Sequence, residues 1–234
     1  MQDVSFPRRR FLMLTAVTAS AALAGCTTSV SPVRPAVAAM PVVPPPPRGR
    51  SPELDAMYGT ITDGGYVIPA VPYWKIDPRF YRQQVVDPTG ERPGTIVVDT
   101  PSRFLYLVEP GGTAMRYGVG IGRDGFAWGG EGVIQWRQKW PKWTPPDEMI
   151  ARQPELAKYS ADNGGMPPGL TNPLGARALY IFQNGQDTLY RLHGSPEWNS
   201  IGKAASSGCV RLMNQDILDL YDRVPTKARI LVWQ

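Results

Sequence analysis

From Gly94 onward the chain alternates short β-rich runs with glycine and proline punctuation, a pattern that admits a sheet and few helices. Thr95-Ile96-Val97-Val98-Asp99-Thr100 and Phe104-Leu105-Tyr106-Leu107-Val108 read as two strands joined through Pro101-Ser102-Arg103, a hairpin. Tyr117 to Gly122, Gly132 to Trp136, Arg177 to Phe182 and Thr188 to His193 read as further strands. The last two are separated by the turn pair Asn184-Gly185, and the glycines inside the earlier runs mark bends or close backbone approach. One helix stands out: Ile217, Leu218, Tyr221 and Val224 recur at helical spacing behind Asn214, a candidate cap, which predicts an amphipathic helix over 215–224. Ala228 to Trp233 returns to strand pattern and would close the sheet. Pro146 to Tyr159, with Met149, Ile150 and Leu156, predicts a further helix in a long insert. The expected fold is mainly β with a few helices.

A chain of 234 residues suits one such domain with a leader and a linker. Phe6-Pro7-Arg8-Arg9-Arg10-Phe11-Leu12 is positively charged, an apolar stretch runs from Phe11 to Leu23, and Leu23-Ala24-Gly25-Cys26 comes after it. These are the parts of an export signal, and the apolar stretch falls short of the ~20 residues a membrane span needs. Arg8-Arg9-Arg10-Phe11-Leu12 resembles the twin-arginine export signal, and Leu23-Ala24-Gly25-Cys26 resembles a bacterial lipobox. The resemblance implies cleavage before Cys26 and lipidation of its thiol; a plain hydrophobic anchor is the alternative. Several acyl chains hold a protein firmly at a membrane, because each buried CH2 contributes about 0.8 kcal/mol. Residues 27–50, rich in Pro, Ala, Val and Ser and including Pro44-Pro45-Pro46-Pro47, favour extended polyproline and read as a spacer. The expected divisions are a signal peptide at 1–25, a lipidated Cys26 and linker at 26–50, an extension at 51–93, and a main domain at 94–234 on which that extension packs.

The formal charge is +5, but Arg8, Arg9 and Arg10 lie in the leader, and the remaining Lys and Arg are scattered among acids. A nucleic-acid reader would show a clustered basic stripe, so no nucleic-acid partner is expected. The chain holds two cysteines, Cys26 and Cys209, and one histidine, His193. With Cys26 taken by lipid, Cys209 has no disulfide partner, and a free thiol in an oxidising compartment is a liability unless buried or used. One His and one Cys cannot furnish the three or four ligands of a zinc site, so no metal is expected.

The chemistry-bearing stretch is His193-Gly194-Ser195, then Ile201-Gly202, then Ser206-Ser207-Gly208-Cys209-Val210-Arg211-Leu212. A cysteine nucleophile needs an imidazole to take its proton, and His193 is the sole candidate of its kind. It also needs donors for a developing oxyanion, and Gly208 lets backbone N–H groups approach a carbonyl. In this reading His193 ends a strand and Cys209 lies in a Ser/Gly loop just before a helix.

These residues resemble the L,D-transpeptidase catalytic domain, also called the YkuD domain, whose signature is a His-Gly pair followed by Ser-x-Gly-Cys-(Ile/Val)-Arg. The resemblance covers roughly residues 94–233, including Asn172-Pro173-Leu174-Gly175. Ser207 stands where many relatives carry His before the Gly-Cys pair; the family's base is the earlier His, here His193. The resemblance implies a mixed sheet or sandwich, no cofactor, and peptidoglycan stem peptides as substrate. In it Cys209 attacks the carbonyl at the L-centre of a diamino acid, His193 hands the proton to the departing D-amino acid, and an amine takes the thioester. Gly194 would orient His193 through its carbonyl, and the N–H groups of Gly208 and Cys209 would receive the oxyanion. Arg211, Ser206, Ser207 and Asn172 would contact substrate. Arg211 could equally pair with an acid such as Asp216, and a tight turn explains Asn172 as well.

Trp128, Trp136, Trp140 and Trp143 could cover a cleft for sugar or stem peptide, or simply pack. The acceptor amine could belong to a second stem or to an envelope protein. Two other functions fit the same residues: hydrolysis at the same site, making a carboxypeptidase or endopeptidase, and a non-catalytic lipoprotein that tethers membrane to wall. The expected location is the periplasmic face of a bacterial membrane; Thr27 rather than aspartate after Cys26 favours the outer one.

Overall fold

A computed structural model describes residues 49–122, 128–206 and 208–234. The expected signal peptide, Cys26 and the spacer up to residue 48 lie outside the described residues. So does Ser207, and of Ser206 only the backbone is described. Among the described residues no helix is long and apolar enough to cross a membrane.

Helix α1 (Pro52–Met57) begins at Ser51, whose hydroxyl accepts from Leu54 N at 3.2 Å, and carries Pro in its first turn. Strands β1 (Ile61–Asp63) and β2 (Tyr66–Ile68) form a small hairpin. The chain then supplies β3 (Gln83–Val86), β4 (Ile96–Asp99), β5 (Phe104–Glu109), β6 (Thr113–Gly118), β7 (Ile121–Gly122) and β8 (Gly130–Lys139). After an insert holding α2 (Asp147–Arg152) come β9 (Arg177–Gln183), β10 (Gln186–Ser195), β11 (Ala204–Ser206), β12 (Val210–Met213), α3 (Asn214–Arg223) and β13 (Arg229–Trp233).

Among the described residues nine strands form one sheet in the order β12-β10-β9-β8-β13-β4-β5-β6-β3. It is mixed: β10 with β12 and β13 with β4 are parallel, and the other neighbours are antiparallel. The backbone of Gly120, just past β6, exchanges hydrogen bonds of 2.9 and 2.8 Å with Arg211 in β12. Strand β12 therefore has β10 on one side and the continuation of β6 on the other, and β7 pairs with β11 beside it.

Side-chain alternation sorts these strands into two cores. Ile96, Val98, Leu105 and Leu107 face inward with Ile134, Leu179, Ile181, Leu192, Val210, Leu212 and the apolar side of α3. Val97, Phe104 and Tyr106 face the other way, where Leu54, Tyr58, Tyr73, Phe80 and Tyr81 cover them. Both faces of β4 and β5 are thus buried, which is why their sequences read as unbroken apolar runs. Each fully buried Val, Leu or Ile contributes roughly 1.5–3 kcal/mol, so residues 54–81 are integral to the packing of the central strands.

The expected hairpin and the turn at Asn184-Gly185 are present as β4–β5 and β9–β10. Several local expectations are corrected. The strand expected over 117–122 breaks between β6 and β7, where Gly120 turns its backbone toward β12. The helix expected over 146–159 is only α2 followed by a 3-10 turn at Pro154–Tyr159, because Pro154 ends it. Strand β13 does not close the sheet but lies inside it between β8 and β4. Asn214 is not the cap of α3: it is the first helical residue, and its Oδ1 accepts from Ala176 N at 3.0 Å instead.

Candidate active site

Cys209 does not precede a helix directly. It leads into β12, which runs parallel to β10 with Leu192 beside Val210 and His193 beside Arg211. Extending that register by one residue sets Cys209 beside Arg191. Alternation then puts Cys209, Arg211, Arg191 and His193 on one face of the strand pair, opposite the inward-facing Leu192, Val210 and Leu212. A parallel pair needs a crossover connection, and residues 196–209 form it. His193 and Cys209, sixteen positions apart in sequence, are thus brought onto neighbouring strands.

His193 is buried, and its Nδ1 lies 2.6 Å from Gly194 O. A carbonyl only accepts, so Nδ1 carries the hydrogen and Nε2 is the basic nitrogen of the neutral ring. Burial pushes the imidazole down from 6.5 to about 4; the Gly194 and Pro173 carbonyls oppose this, while the Arg211 and Arg191 cations add to it. At neutral pH the ring is therefore uncharged and able to take a proton.

Cys209 is half-buried, and its thiol sits 4.0 Å from Leu189 O. Burial pushes the thiol up, opposed by the Arg191 backbone and by the Arg191 and Arg211 cations. Burial therefore favours a neutral thiol and a neutral imidazole over an ion pair. Gly208 has φ +131°, a conformation side chains disfavour, and a Cβ there would come 3.3 Å from the Tyr190 ring. Gly194 is tighter still, since a Cβ would meet Asn214 Oδ1 and Ile217.

Leu189 sits in a bulge between Asp187 and Arg191, with φ 63° and its side chain 75% exposed. Non-glycine residues adopt that conformation only where their surroundings enforce it. Here Asp187 Oδ1 accepts from Leu189 N at 2.8 Å, and both carboxylate oxygens of Asp187 accept from the Arg191 guanidinium at 2.7 Å. Thr188 Oγ1 donates to Ile181 O at 2.7 Å and accepts from Tyr190 N at 3.2 Å. The bulge aims the Leu189 carbonyl at the thiol. No pattern of apolar residues announces it, because it departs from the period-two alternation.

Arg211 donates to Glu197 Oε2 at 2.6 Å, not to Asp216, whose salt-bridge partner is Arg82 at 3.9 Å. Asn172 is corrected as a substrate contact. It is fully buried, its amide nitrogen lies 3.1, 3.4 and 3.0 Å from the carbonyls of Pro141, Met166 and Pro167, and its Oδ1 accepts from Leu174 N. It pins the insert that carries Pro173 to the His193 ring. The four tryptophans disperse: Trp140 packs on Tyr66 and donates to Asp63, Trp143 bridges to Met166, Trp128 stacks on Tyr190, and Trp136 faces solvent. Among the described residues no cluster of three or more His, Cys, Asp or Glu could hold a metal ion.

The chain is similar to the probable L,D-transpeptidase ErfK/SrfK of Escherichia coli strain K12, with 31% identity over 156 residues, 64% of this chain and 47% of that protein. YbiS of the same strain, also named a probable L,D-transpeptidase, is 32% identical over 154 residues, 63% of this chain and 47% of that protein. The chain thus spans about half the length of these curated relatives. A solved structure from Brucella melitensis, described as a probable carnitine operon oxidoreductase, shares 46% identity over 66% of this chain and 94% of that one, with a TM-score of 0.47. The L,D-transpeptidase from Mycobacterium smegmatis shares 17% over 60% and 58%, with a TM-score of 0.44. The model of the L,D-transpeptidase catalytic domain matches residues 93–232. With that match over more than half its length, the chain belongs to the L,D-transpeptidase catalytic domain family.

Proposed function

We propose that this protein is a peptidoglycan L,D-transpeptidase with Cys209 as nucleophile and His193 as base. The observation that carries the reading is the β10–β12 register, which sets both side chains on one face of adjacent parallel strands with His193 Nδ1 engaged by Gly194 O. The thiol proton passes to His193 as Cys209 Sγ bonds to the carbonyl carbon at the L-centre of the stem's diamino acid. The peptide C–N bond then breaks, and the same proton goes to the departing amine of the terminal D-amino acid. An acceptor amine attacks the thioester, its proton passes through His193 back to sulfur, and a new amide leaves. Burial favours the uncharged pair, which limits side reactions of the free thiol. The N–H groups of Gly208 and Cys209 receive the oxyanion. Arg211, steadied by Glu197, holds a substrate carboxylate or the loop.

The test incubates the protein with muropeptides and monitors dimers and exchange of the terminal D-amino acid. Cys209→Ala should lose at least about a thousandfold in rate; unchanged activity in that variant overturns the reading. A carbapenem should add its mass to Cys209. Product analysis with and without added amine separates transfer from hydrolysis, and an envelope protein as acceptor would appear as a protein-linked stem.

The leader reading belongs to the same proposal. A signal peptide ending at Gly25, lipid on Cys26 and a Pro-rich spacer would place the catalytic domain on the periplasmic face of the outer membrane. Fatty-acid labelling should be lost in Cys26→Ala, and retained labelling would refute the anchor.

A further inference from the structure

The register that aligns Cys209 with Arg191 continues across two more strands. Arg191 in β10 pairs with Tyr180 in β9, and Tyr180 pairs with Trp136 in β8. The side chains share the face of the nucleophile: the Arg191 guanidinium lies 4.4 Å over the Tyr180 ring, and Trp136 meets Tyr180 and Phe182 edge-on at 6.0 and 5.7 Å. A row Cys209–Arg191–Tyr180–Trp136 therefore runs from the reacting sulfur toward the centre of the sheet.

The far end of this row is open. Trp136 is 59% exposed and belongs to none of the apolar clusters. The two rings beside it meet it edge-on, while more than half of its surface is left exposed. Polar groups rim the platform: Tyr180 Oη donates to Gln138 Oε1 at 2.9 Å, and Asp187 grips Arg191 through both oxygens. Exposed aromatic surface with hydrogen-bonding groups at its margin suits a pyranose ring, whose C–H face is apolar and whose hydroxyls point outward. A protein partner would want a wider apolar surface without that rim.

Length selects the same occupant. Three strand spacings of about 4.8 Å put Trp136 roughly 14 Å from the sulfur. A stem bound by its third residue at Cys209 spans about 10 Å of extended peptide back to its sugar, so a stem lying across the strands brings that sugar over Tyr180 and Trp136. We propose that Trp136, Tyr180 and Phe182 form a subsite for the glycan of the strand whose stem occupies Cys209. This rests on the transpeptidase reading and adds that the substrate is recognised through its sugar as well as its peptide.

The experiment compares a free tetrapeptide stem with the same stem carried on its disaccharide, in the native protein, Trp136→Ala and Trp136→Phe, with melting temperatures recorded alongside. The native protein should prefer the disaccharide-linked stem by about tenfold in kcat/KM. Trp136→Ala should erase that preference and leave the free stem unchanged, with Trp136→Phe in between. Equal rates on both substrates in the native protein, or a Trp136→Ala loss that strikes both equally, overturns the subsite. So does a switch from dimer to monomer in Trp136→Ala, which would assign the face to a second copy. If neither stem reacts, the transpeptidase reading falls by itself, and binding of stem-free glycan strands decides the platform. Binding that Trp136→Ala abolishes supports it, and absence of binding refutes it.

Discussion

At the residue scale, the thiol is governed by charges that the bulge holds in place. The Arg191 cation lowers the Cys209 pKa against the dominant upward push of burial, to which the Asp187 carboxylate adds. Arg191→Gln removes the cation and should slow alkylation of Cys209 by iodoacetamide near neutral pH about threefold. Asp187→Asn keeps an oxygen for Leu189 N while removing the negative charge, and should speed it. Rates that stay equal in both variants would mean the bulge orients Arg191 without electrostatic effect on the sulfur. His193 and Cys209 were both legible in the sequence, because a lone imidazole and a Gly-flanked thiol are chemically distinctive. Arg191 and Leu189 were not: an arginine in a strand looks like any solvated side chain, and a carbonyl aimed by a left-handed residue leaves no mark in residue type.

At the element scale, the site depends on how tightly β10 meets α3 and how firmly the insert is tied down. A methyl group at Gly194 would collide with Asn214 Oδ1 and Ile217. Gly194→Ala should cost about 1–3 kcal/mol in denaturant unfolding and lower activity further by shifting the neighbouring imidazole. The β1–β2 hairpin is fastened by Asp63, which accepts from both terminal nitrogens of the buried Arg177 at 2.8 Å and from Trp140 Nε1 at 2.7 Å. Asp63→Ala strands that guanidinium, and a loss of about 3 kcal/mol is expected. Asp63→Asn, which retains hydrogen bonds, should lose less. The strands and α3 were readable because period-two and helical spacing survive in the sequence. The caps were not: Asn214 has a cap's residue type, yet the orphan N–H of Ala176 takes its oxygen, a demand made from 38 residues away.

At the scale of the whole molecule, two buried groups give stability opposite pH slopes. His193 is held down at about 4 against an ordinary 6.5, so the unfolded chain takes the proton first. Its contribution is intact above about 6.5 and is lost as pH falls toward 4. Asp216 is buried and raised from 3.8 to about 7, with Arg82 opposing and Asp219 adding to the effect of burial. The folded chain therefore keeps a proton that the unfolded chain releases, and stability is lost as pH rises from 3.8 toward 7. Between about pH 4 and 6.5 the two slopes oppose each other. Thermal melting across that window should vary little in the native protein, rise with pH in Asp216→Asn and fall with pH in His193→Asn. Parallel curves for all three would show that neither group titrates as its burial requires.

The sequence by itself determined the mainly β class, the hairpins, the terminal helix and which thiol and imidazole are the candidates for nucleophile and base. These depend on local spacing and on the chemistry of single residues. Only the tertiary structure decided that β13 is an interior strand, that β12 lies parallel to β10, that Asn172 and Asn214 serve carbonyls and amides rather than substrate or cap, and that Trp136 shares a face with Cys209. Strand order and register are fixed by backbone hydrogen bonds between distant segments, and those bonds are the same for every residue type. Their partners are chosen by which apolar faces can be buried together, a choice the whole chain makes at once.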